Sequence, residues 1–194
     1  YYSQMSFYYL LGIILVWVLV GGIGVEIGLH RIFSHNMFKC NTWVTRVIGL
    51  LGCLSLNGDP IFWSSIHNGS HHRHADTMQD VHSPIHGFWH SYLGWIVDEK
   101  TYQNVRAGSA GKQALKDSWI RNYQKHYILI VASIFLLVYL ISPLFFFLSF
   151  LPGVFLAFNQ GPLTNYFCHT PGYGYRNFDT KDTSRNVTWL SYLT

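Results

Sequence analysis

Histidine is concentrated in three short stretches of this 194-residue sequence, a pattern that suits a metal site. HRIFSH begins at His30, HNGSHHRH begins at His67, and NYFCH ends at His169. Seven of the 11 histidines fall within residues 67–90, far more than an even distribution would place there. Neutral imidazole is a good ligand for Fe, Zn, Cu and Ni, whereas Mg2+ and Ca2+ prefer oxygen ligands. The three stretches therefore predict a transition-metal site built from several segments of the chain.

The spacing inside the second stretch indicates how its histidines divide. On an α-helix His67 and His71, four residues apart, share one face, and His72 turns about 100° away from His71. Adjacent histidines could therefore contact two different metal ions, or reach one ion together with a ligand from another segment. A single histidine is more often a surface or hydrogen-bonded residue, so the prediction rests on the cluster and on the flanking residues His30 and His35.

Three further residues are predicted to support the ligands without binding metal themselves. Glu26 lies four residues before His30, so its carboxylate can accept a hydrogen bond from the His30 nitrogen that does not bind metal and thereby fix the tautomer. The alternative is a carboxylate near the membrane surface that reaches water. His74 and His82 are expected either to contact a ligand or to lie on the surface.

Long apolar runs indicate the elements that must position these residues. Residues 7–29 contain one charged side chain, Glu26, and are long enough to cross a bilayer, which takes about 20 apolar residues. Residues 127–158 contain no charge, and as one helix these 32 residues would measure about 48 Å, more than the roughly 30 Å of the hydrocarbon core. This run must fold back, and the proline after Ser142 marks the natural turn. A shorter apolar stretch, 47–56, is predicted to lie on the membrane or to pack beneath it.

Composition and charge placement agree with a membrane protein. The chain is 49% hydrophobic and 11% charged, against about 25% charged residues in typical soluble domains. All 13 Lys and Arg residues lie in 31–125 or 176–185, on one side of a three-span topology, which the positive-inside rule makes cytoplasmic. The net charge of +4 is then better explained by a membrane face than by nucleic acid. The three cysteines form no CxxC pair, so neither a disulfide framework nor a zinc knuckle is predicted.

We therefore predict one all-α integral membrane domain, a transmembrane helix bundle with a helical cytosolic cap that holds a His-rich dimetal site. His30 and His169 would sit at the cytoplasmic ends of the first and last spans, where imidazoles from three segments can converge just below the membrane. The predicted parts are spans at about 7–29, 125–141 and 144–168, a cap at about 30–124, and a C-terminal cytosolic segment at 169–194.

The histidine stretches and their surroundings resemble the membrane fatty-acid desaturase family, in particular its acyl-CoA or Δ9-type branch. HRIFSH is similar to the first histidine box of that family, and GDPIFWSSIHNGSHHRHADTMQDVHSPIHGFWHSYLGW is similar to its second box and the segment after it. NYFCHTPGYGYRNFDTKDTSRN is similar to the stretch that leads to its third box. The similarity extends from about residue 25 to residue 194, and the combined spacing is highly specific although each box alone is weak.

The resemblance implies two non-haem iron ions bound by histidines on the cytosolic side, O2 as co-substrate, and an acyl tunnel into the helix bundle within the membrane lipid. The implied reaction introduces a C=C bond into a fatty acyl thioester of CoA or of a carrier protein. An external electron donor of the cytochrome b5, ferredoxin or rubredoxin type is also implied, because the sequence has no cytochrome b5-like segment or flavin fingerprint. Carried over by position, the implied metal ligands are His30, His35, His67, His71, His72 and His169, with Asn165 holding a metal-bound water.

Three departures from the family pattern bear on these expectations. The second box is usually His-x-x-His-His, whereas here three residues separate His67 from His71, so either the helix has a local bulge or the metal partners are rearranged, with His74 in place of His67. Tyr92 stands where the family commonly has a histidine, and His90 lies two residues earlier. The third box, His-x-x-His-His, is expected after WLSYLT, where the sequence ends, and the family usually has four spans, so a truncated chain is expected.

Other functions are open on the sequence alone. The same scaffold could act as an acyl hydroxylase or an alkyne-forming acetylenase, because these enzymes share the histidines and differ in how the substrate is placed. A membrane metal transporter would place its ligands near mid-bilayer, whereas these histidines lie at span ends and in the cap. A bis-histidine haem protein would need facing histidines within the spans.

Overall fold

The structure is a computed structural model that describes residues 2–104, 114–179 and 181–192. Every regular element in these ranges is helical, and the only β pairing among them is an isolated bridge between Tyr175 and Asn186. The predicted all-α class is therefore confirmed for the described part of the chain.

The helices are numbered in chain order. They are α1 (Tyr2–Trp17), α2 (Thr42–Leu54), α3 (Pro60–Ile66), α4 (His72–His74), α5 (Trp95–Val97), α6 (Glu99–Asn104), α7 (Ser118–Lys125), α8 (Tyr127–Ile141), α9 (Pro143–Phe145) and α10 (Leu151–His169). Four π-helical segments adjoin them, at Val18–Ser34 after α1, His67–His71 after α3, His90–Gly94 before α5, and Phe146–Phe150 between α9 and α10. Short 3-10 turns lie at Pro84–His86 and Leu190–Tyr192.

Two continuous helical stretches in the described ranges are long and apolar enough to cross a membrane. They are Ser6–Ser34 and Pro143–His169, and they contain the predicted spans 7–29 and 144–168. The third predicted span corresponds to α8, which meets α7 at an angle of 83°, so the pair is either one broken span or a re-entrant loop. The first stretch continues past the apolar run because its helical hydrogen bonds persist until Asn36, which adopts a left-handed φ of 50°.

The two long stretches run parallel to each other. The Ser149 hydroxyl donates to the Tyr9 carbonyl oxygen over 2.9 Å, and a Cβ added at Gly153 would lie 2.6 Å from Val16 Cβ. Further along, a Cβ at Gly21 would collide with the Gln160 side chain, so residue numbers rise together in both stretches. The carboxyl-terminal ends of the two stretches therefore meet at one end of the bundle.

Helix α2 packs along the π-helical part of the first stretch. A Cβ added at Gly24 would lie 2.7 Å from the Gly52 backbone nitrogen, and one at Gly28 would lie 2.6 Å from the Ile48 side chain. Small residues of this kind let two helix backbones approach closely. The short apolar run predicted to lie on or beneath the membrane is thus a helix fixed against the first stretch, and it leads the chain into α3. In α3, Asp59 Oδ1 accepts the Ile61 N–H over 2.9 Å and caps the helix start.

Candidate metal centre

Helix ends bring all six predicted ligands to the same end of the molecule. His30 lies in the π-helical part of the first stretch, and His35 directly follows that stretch. His169 is the last residue of α10. The second histidine box follows α3, which is directed toward these two helix ends by its capped start and its packing on the first stretch. The sequence prediction that three segments converge is met in the structure.

Four of these side chains form what we call the outer histidine group: His30, His35, His67 and His72. The Nε2 atom of His67 lies 3.0 Å from Nε2 of His35 and 3.0 Å from Nε2 of His72. The His30 ring lies 4.9 Å from the His67 ring and 4.8 Å from the His35 ring, between centroids. A neutral ring nitrogen offers one proton or one lone pair, so three Nε2 atoms cannot satisfy one another by hydrogen bonds alone. Converging nitrogens of this kind suit a shared cation.

Three other side chains form the inner histidine group: His71, His82 and His169. The His71 ring lies 4.6 Å from the His82 ring and 4.7 Å from the His169 ring, between centroids. His71 and His82 are both buried, at 8% exposure each. The two groups are neighbours, because the ring centroids of His71 and His72 lie 5.5 Å apart. The arrangement offers two adjacent positions for metal ions.

The extra residue in the second box is absorbed by a π-helical turn, His67–His71. A π-helix bonds residue i to residue i+5, so it accommodates one more residue per turn than an α-helix. As a result His67 meets His72, five residues on, while His71 turns to the inner group. The His67 and His71 rings still lie 5.9 Å apart between centroids, as the expectation of a shared helix face requires, but His67 is closer to His72, at 4.4 Å. The local bulge, one of the two alternatives for this departure, is the one that the structure adopts.

Carboxylates lie near the Nδ1 atoms of four histidines, one of them His82, whose Nδ1 lies 3.7 Å from Asp80 Oδ1. Asp80 Oδ2 lies 2.9 Å from His71 Nδ1, and Asp76 Oδ1 lies 3.0 Å from His169 Nδ1. Glu26 Oε2 lies 3.4 Å from His30 Nδ1, as the four-residue spacing predicted, although the contact is long. Neither aspartate was predicted to have a role, and their position in HADTMQDVH just after the second box was the available signal.

The supporting residues predicted from sequence differ in where they lie. His82 belongs to the inner group, and its buried Nδ1 atom has no hydrogen-bond partner. Asn165 donates from Nδ2 to the His82 carbonyl oxygen over 2.5 Å, which leaves its buried Oδ1 without a hydrogen-bond partner. His74 lines a different cavity together with His86 and His90, so its supporting role stays a prediction that the geometry does not favour.

Three side chains hold the loop that carries Asp80 and His82. His86 Nε2 donates to the Asp80 carbonyl oxygen and His90 Nε2 donates to the Val81 carbonyl oxygen, each over 3.0 Å. Together with the bond from Asn165, three consecutive carbonyl groups are fixed by side-chain donors. His86 and His90, which lie beyond the second box, therefore stabilise this loop. Tyr92, which replaces the histidine common in the resembling family, donates its hydroxyl proton to Asn159 Oδ1 in the last stretch.

The surroundings favour the neutral form of three of these imidazoles, those of His67, His72 and His82, and the neutral form is the state that binds metal. Burial, followed by the neighbouring His72, lowers the pKa of His67 far below its ordinary range. Burial and the adjacent His71 lower the pKa of His72 to about 4. Burial and His71 likewise lower the pKa of His82 to about 4. Neutral nitrogens, two buried polar atoms without partners and a nearby set of carboxylates together fit a pair of transition-metal ions.

A cavity of about 360 Å3 lies beside both histidine groups. Its apolar walls include Val25, Trp63, Ile66 and Trp95, and the Trp63 ring stacks on the His67 ring at 4.5 Å. The cavity extends toward the first and last stretches, which contribute Gly161 among others. An apolar chain could therefore lie next to the candidate metal positions.

The chain is similar to known proteins over nearly its whole length. A family model described as fatty acid desaturase matches residues 7–194. Delta-9 acyl-lipid desaturase 2 of Arabidopsis thaliana is 35% identical over 174 residues, which make up 89% of this chain and 56% of that protein. Delta-9 acyl-lipid desaturase 1 of the same plant is 36% identical over 188 residues, 93% of this chain and 59% of that protein.

A bacterial relative shows the same similarity. The sn-1 stearoyl-lipid 9-desaturase of Anabaena variabilis is 31% identical over 182 residues, 93% of this chain and 65% of that protein. The chain thus spans less than two thirds of the length of these curated relatives. The family match covers every histidine of both groups and, except for Ser6, both long apolar helical stretches. The chain therefore belongs to the fatty acid desaturase family.

Proposed function

We propose that this protein is a membrane-bound oxidoreductase that introduces a C=C bond into a fatty acyl chain in an O2-dependent reaction. The observation that carries the proposal is the convergence of seven histidines beside an apolar cavity at the ends of two long apolar helices. Membership of the fatty acid desaturase family supports the same reaction. The overall change is R–CH2–CH2–R′ + O2 + 2e− + 2H+ → R–CH=CH–R′ + 2H2O.

We propose two non-haem iron ions as the cofactor, one held by each histidine group. The ligands would be His30, His35, His67 and His72 for the outer position and His71 and His169 for the inner one, with His82 beside them and Asn165 holding a water. The bound irons would supply O2 activation and the oxidising power needed to remove hydrogen from an unactivated CH2 group. No other side chain near the cavity offers that chemistry among the described residues.

The protein itself would hold the acyl chain and exclude water. Trp63 and Trp95 flank the cavity, and their rings also contact His67 and His82. These bulky side chains fix the imidazoles and remove solvent from the cavity at the same time. A dry, shaped cavity limits side reactions of the oxidant. Positioning of one C–C bond beside the histidine groups would decide which hydrogens are removed.

The substrate carrier, the electron donor and the topology belong to this proposal as well. The relatives named above are described as acting on acyl lipids or stearoyl lipid, so an acyl chain esterified in a membrane lipid stands beside CoA and carrier-protein thioesters as a substrate class. Electrons would come from a separate cytochrome b5, ferredoxin or rubredoxin type of protein. The chain would cross the membrane several times, with the histidine groups on the cytoplasmic side where the basic residues lie.

The test is an assay of membranes that contain the expressed protein, supplied with a reductase system and saturated acyl lipids or thioesters. We expect an unsaturated product by mass spectrometry that requires O2, together with iron in the purified protein. A hydroxylated or alkyne product would show instead that the protein catalyses hydroxylation or alkyne formation on the same scaffold. Absence of both iron and any O2-dependent product would overturn the proposal.

A further inference from the structure

We infer that Asp76 and Asp80 are positioning residues that make the inner histidine group hold its metal ion more tightly than the outer group does. The inference rests on the proposed dimetal function and deepens it, because it assigns the two positions different properties. Its basis is the unequal distribution of carboxylates around the two groups.

Asp80 is held rigidly behind His71. Its side chain is 0% exposed, and its Oδ2 atom accepts the Nδ1 proton of His71 over 2.9 Å. The surrounding loop cannot move easily, because Ser70 accepts the Val81 N–H and donates to the Gln79 carbonyl oxygen. A carboxylate can only accept a hydrogen bond, so the proton is on Nδ1 and the Nε2 lone pair of His71 is free for a metal ion.

Asp76 does the same for His169 and joins two distant segments. Its Oδ1 atom accepts the Nδ1 proton of His169 over 3.0 Å, and its Oδ2 atom accepts the Thr183 N–H over 2.5 Å. The Thr183 hydroxyl in turn donates to the His169 carbonyl oxygen over 2.9 Å. Asp76 has a left-handed backbone with φ of 62°, a conformation that Asp and Asn tolerate better than most residues. The position therefore favours a short side chain with two acceptors.

The outer group has much weaker support of this kind. Glu26 is its one carboxylate neighbour among the described ion pairs, at 3.4 Å from His30 Nδ1 and with 24% of its side chain exposed. A carboxylate that accepts the distal N–H of a metal-binding imidazole orients the ring and raises its basicity. The inner group has two such carboxylates at hydrogen-bond distance, and the outer group has one at the limit. We infer that these two carboxylates outweigh the larger number of imidazoles in the outer group, so that the inner ion is bound first and lost last.

The test uses the full chain in detergent, freed of metal and titrated anaerobically with ferrous ion. Wild type should show two classes of site, and Asp76→Asn and Asp80→Asn should each weaken the tighter class by about 10- to 100-fold while leaving the weaker class unchanged. Asn keeps the size of the side chain and tolerates the left-handed backbone at position 76. It has only one side-chain oxygen, so it cannot accept hydrogen bonds from two partners as the Asp carboxylate does. Asp179→Asn, an exposed carboxylate in the segment after α10, is the matched control.

Cobalt(II) absorption and thermal unfolding of the metal-free variants separate positioning from simple damage to the fold. We expect the absorption bands of the tighter site to change in both variants, while each metal-free variant still unfolds cooperatively and keeps the weaker class of site, even where the lost Thr183 contact lowers the melting temperature of Asp76→Asn. Equal affinity of the two classes in wild type, or an equal loss from both classes in the variants, would overturn the inference and leave the proposed function intact. Absence of any histidine-dependent metal binding would overturn both.

Discussion

His67 is the residue on which the outer histidine group depends. Its Nε2 atom lies 3.0 Å from Nε2 of two other histidines, and Trp63 stacks on its ring at 4.5 Å. The ring is thus fixed on one face by an aromatic side chain while its nitrogen points at its neighbours. The extended spacing of the second box made this residue the least certain ligand in the sequence. The π-helical turn brings the His67 ring next to the His72 ring, so the longer spacing does not separate His67 from the outer group. That His67 binds metal stays a prediction.

We predict that His67→Ala lowers the affinity for iron at the outer position by at least about tenfold, since losing a ligand should cost no less than losing a residue that orients one. His74→Ala should retain wild-type metal content, because His74 lines a separate cavity. The measurement is iron per chain in the purified protein after dialysis against a weak chelator. His126→Ala, at the exposed junction of α7 and α8, controls for the loss of an imidazole. Metal loss in His74→Ala but not in His67→Ala would mean that His74 is the ligand.

At the scale of elements, the crossing of α2 and the first stretch sets the direction of the second histidine box. Gly24 and Gly52 face each other at this crossing, where the backbone of α2 leaves no space for a Cβ on Gly24. Helix α2 leads through a short turn into α3, and α3 leads into the π-helical turn with His67. A shift in this helix crossing would therefore move α3 and displace His67 from its neighbours in the outer histidine group.

We predict that Gly24→Ala destabilises the protein by roughly 1–3 kcal/mol, the usual cost of overpacking, because its Cβ would lie 2.7 Å from two backbone atoms of α2. Gly22→Ala is the matched control, since a Cβ there meets nothing within 4 Å. The measurement is the melting temperature of both variants in detergent, followed by their iron content. Equal melting temperatures would contradict the close helix approach at Gly24.

At the scale of the whole molecule, the parallel arrangement of the two long stretches places both histidine-bearing ends together. In the proposed topology both long stretches cross the membrane in parallel, which requires a connection that recrosses it, and among the described residues α8 is proposed as that connection. The ring of Phe135 in α8 packs on Phe150 and that of Tyr139 on Phe146, so residue numbers run in opposite directions in these two helices. The proposed topology would also place the basic residues of the described ranges on the histidine side.

We predict that Lys39 and Lys181, when each is replaced by cysteine in a background without native cysteines, react with a membrane-impermeant maleimide from the same side of sealed vesicles. Cysteine in place of Ile141, which is 75% exposed at the end of α8, should react only from the opposite side. The measurement is labelling of right-side-out and inside-out vesicles. Labelling of all three positions from one side would exclude the topology with three crossings.

Much of the architecture follows from local properties that a sequence displays directly. The length of an apolar run determines whether it can cross a bilayer, so two long helices and the turn after Ser142 were predictable. Residue type determines ligand chemistry and the family resemblance indicates positions, so six histidines could be proposed as ligands before their arrangement was known; that they bind metal stays a prediction. The spacing between Glu26 and His30 is likewise local, and the predicted contact is present.

Only the tertiary structure decided which histidines meet and what lies behind them. The choice between α-helical and π-helical hydrogen bonding at His67–His71 depends on the helices packed around that turn, and it determines the partner of His67. Asp76 lies 93 residues from His169 in sequence, and a loop aspartate looks the same whether it faces water or an imidazole. Contacts of this kind depend on how segments distant in sequence pack together, so no local pattern reports them. The sequence therefore determined the chemistry available to this protein, and the packing determined how it is divided between two positions.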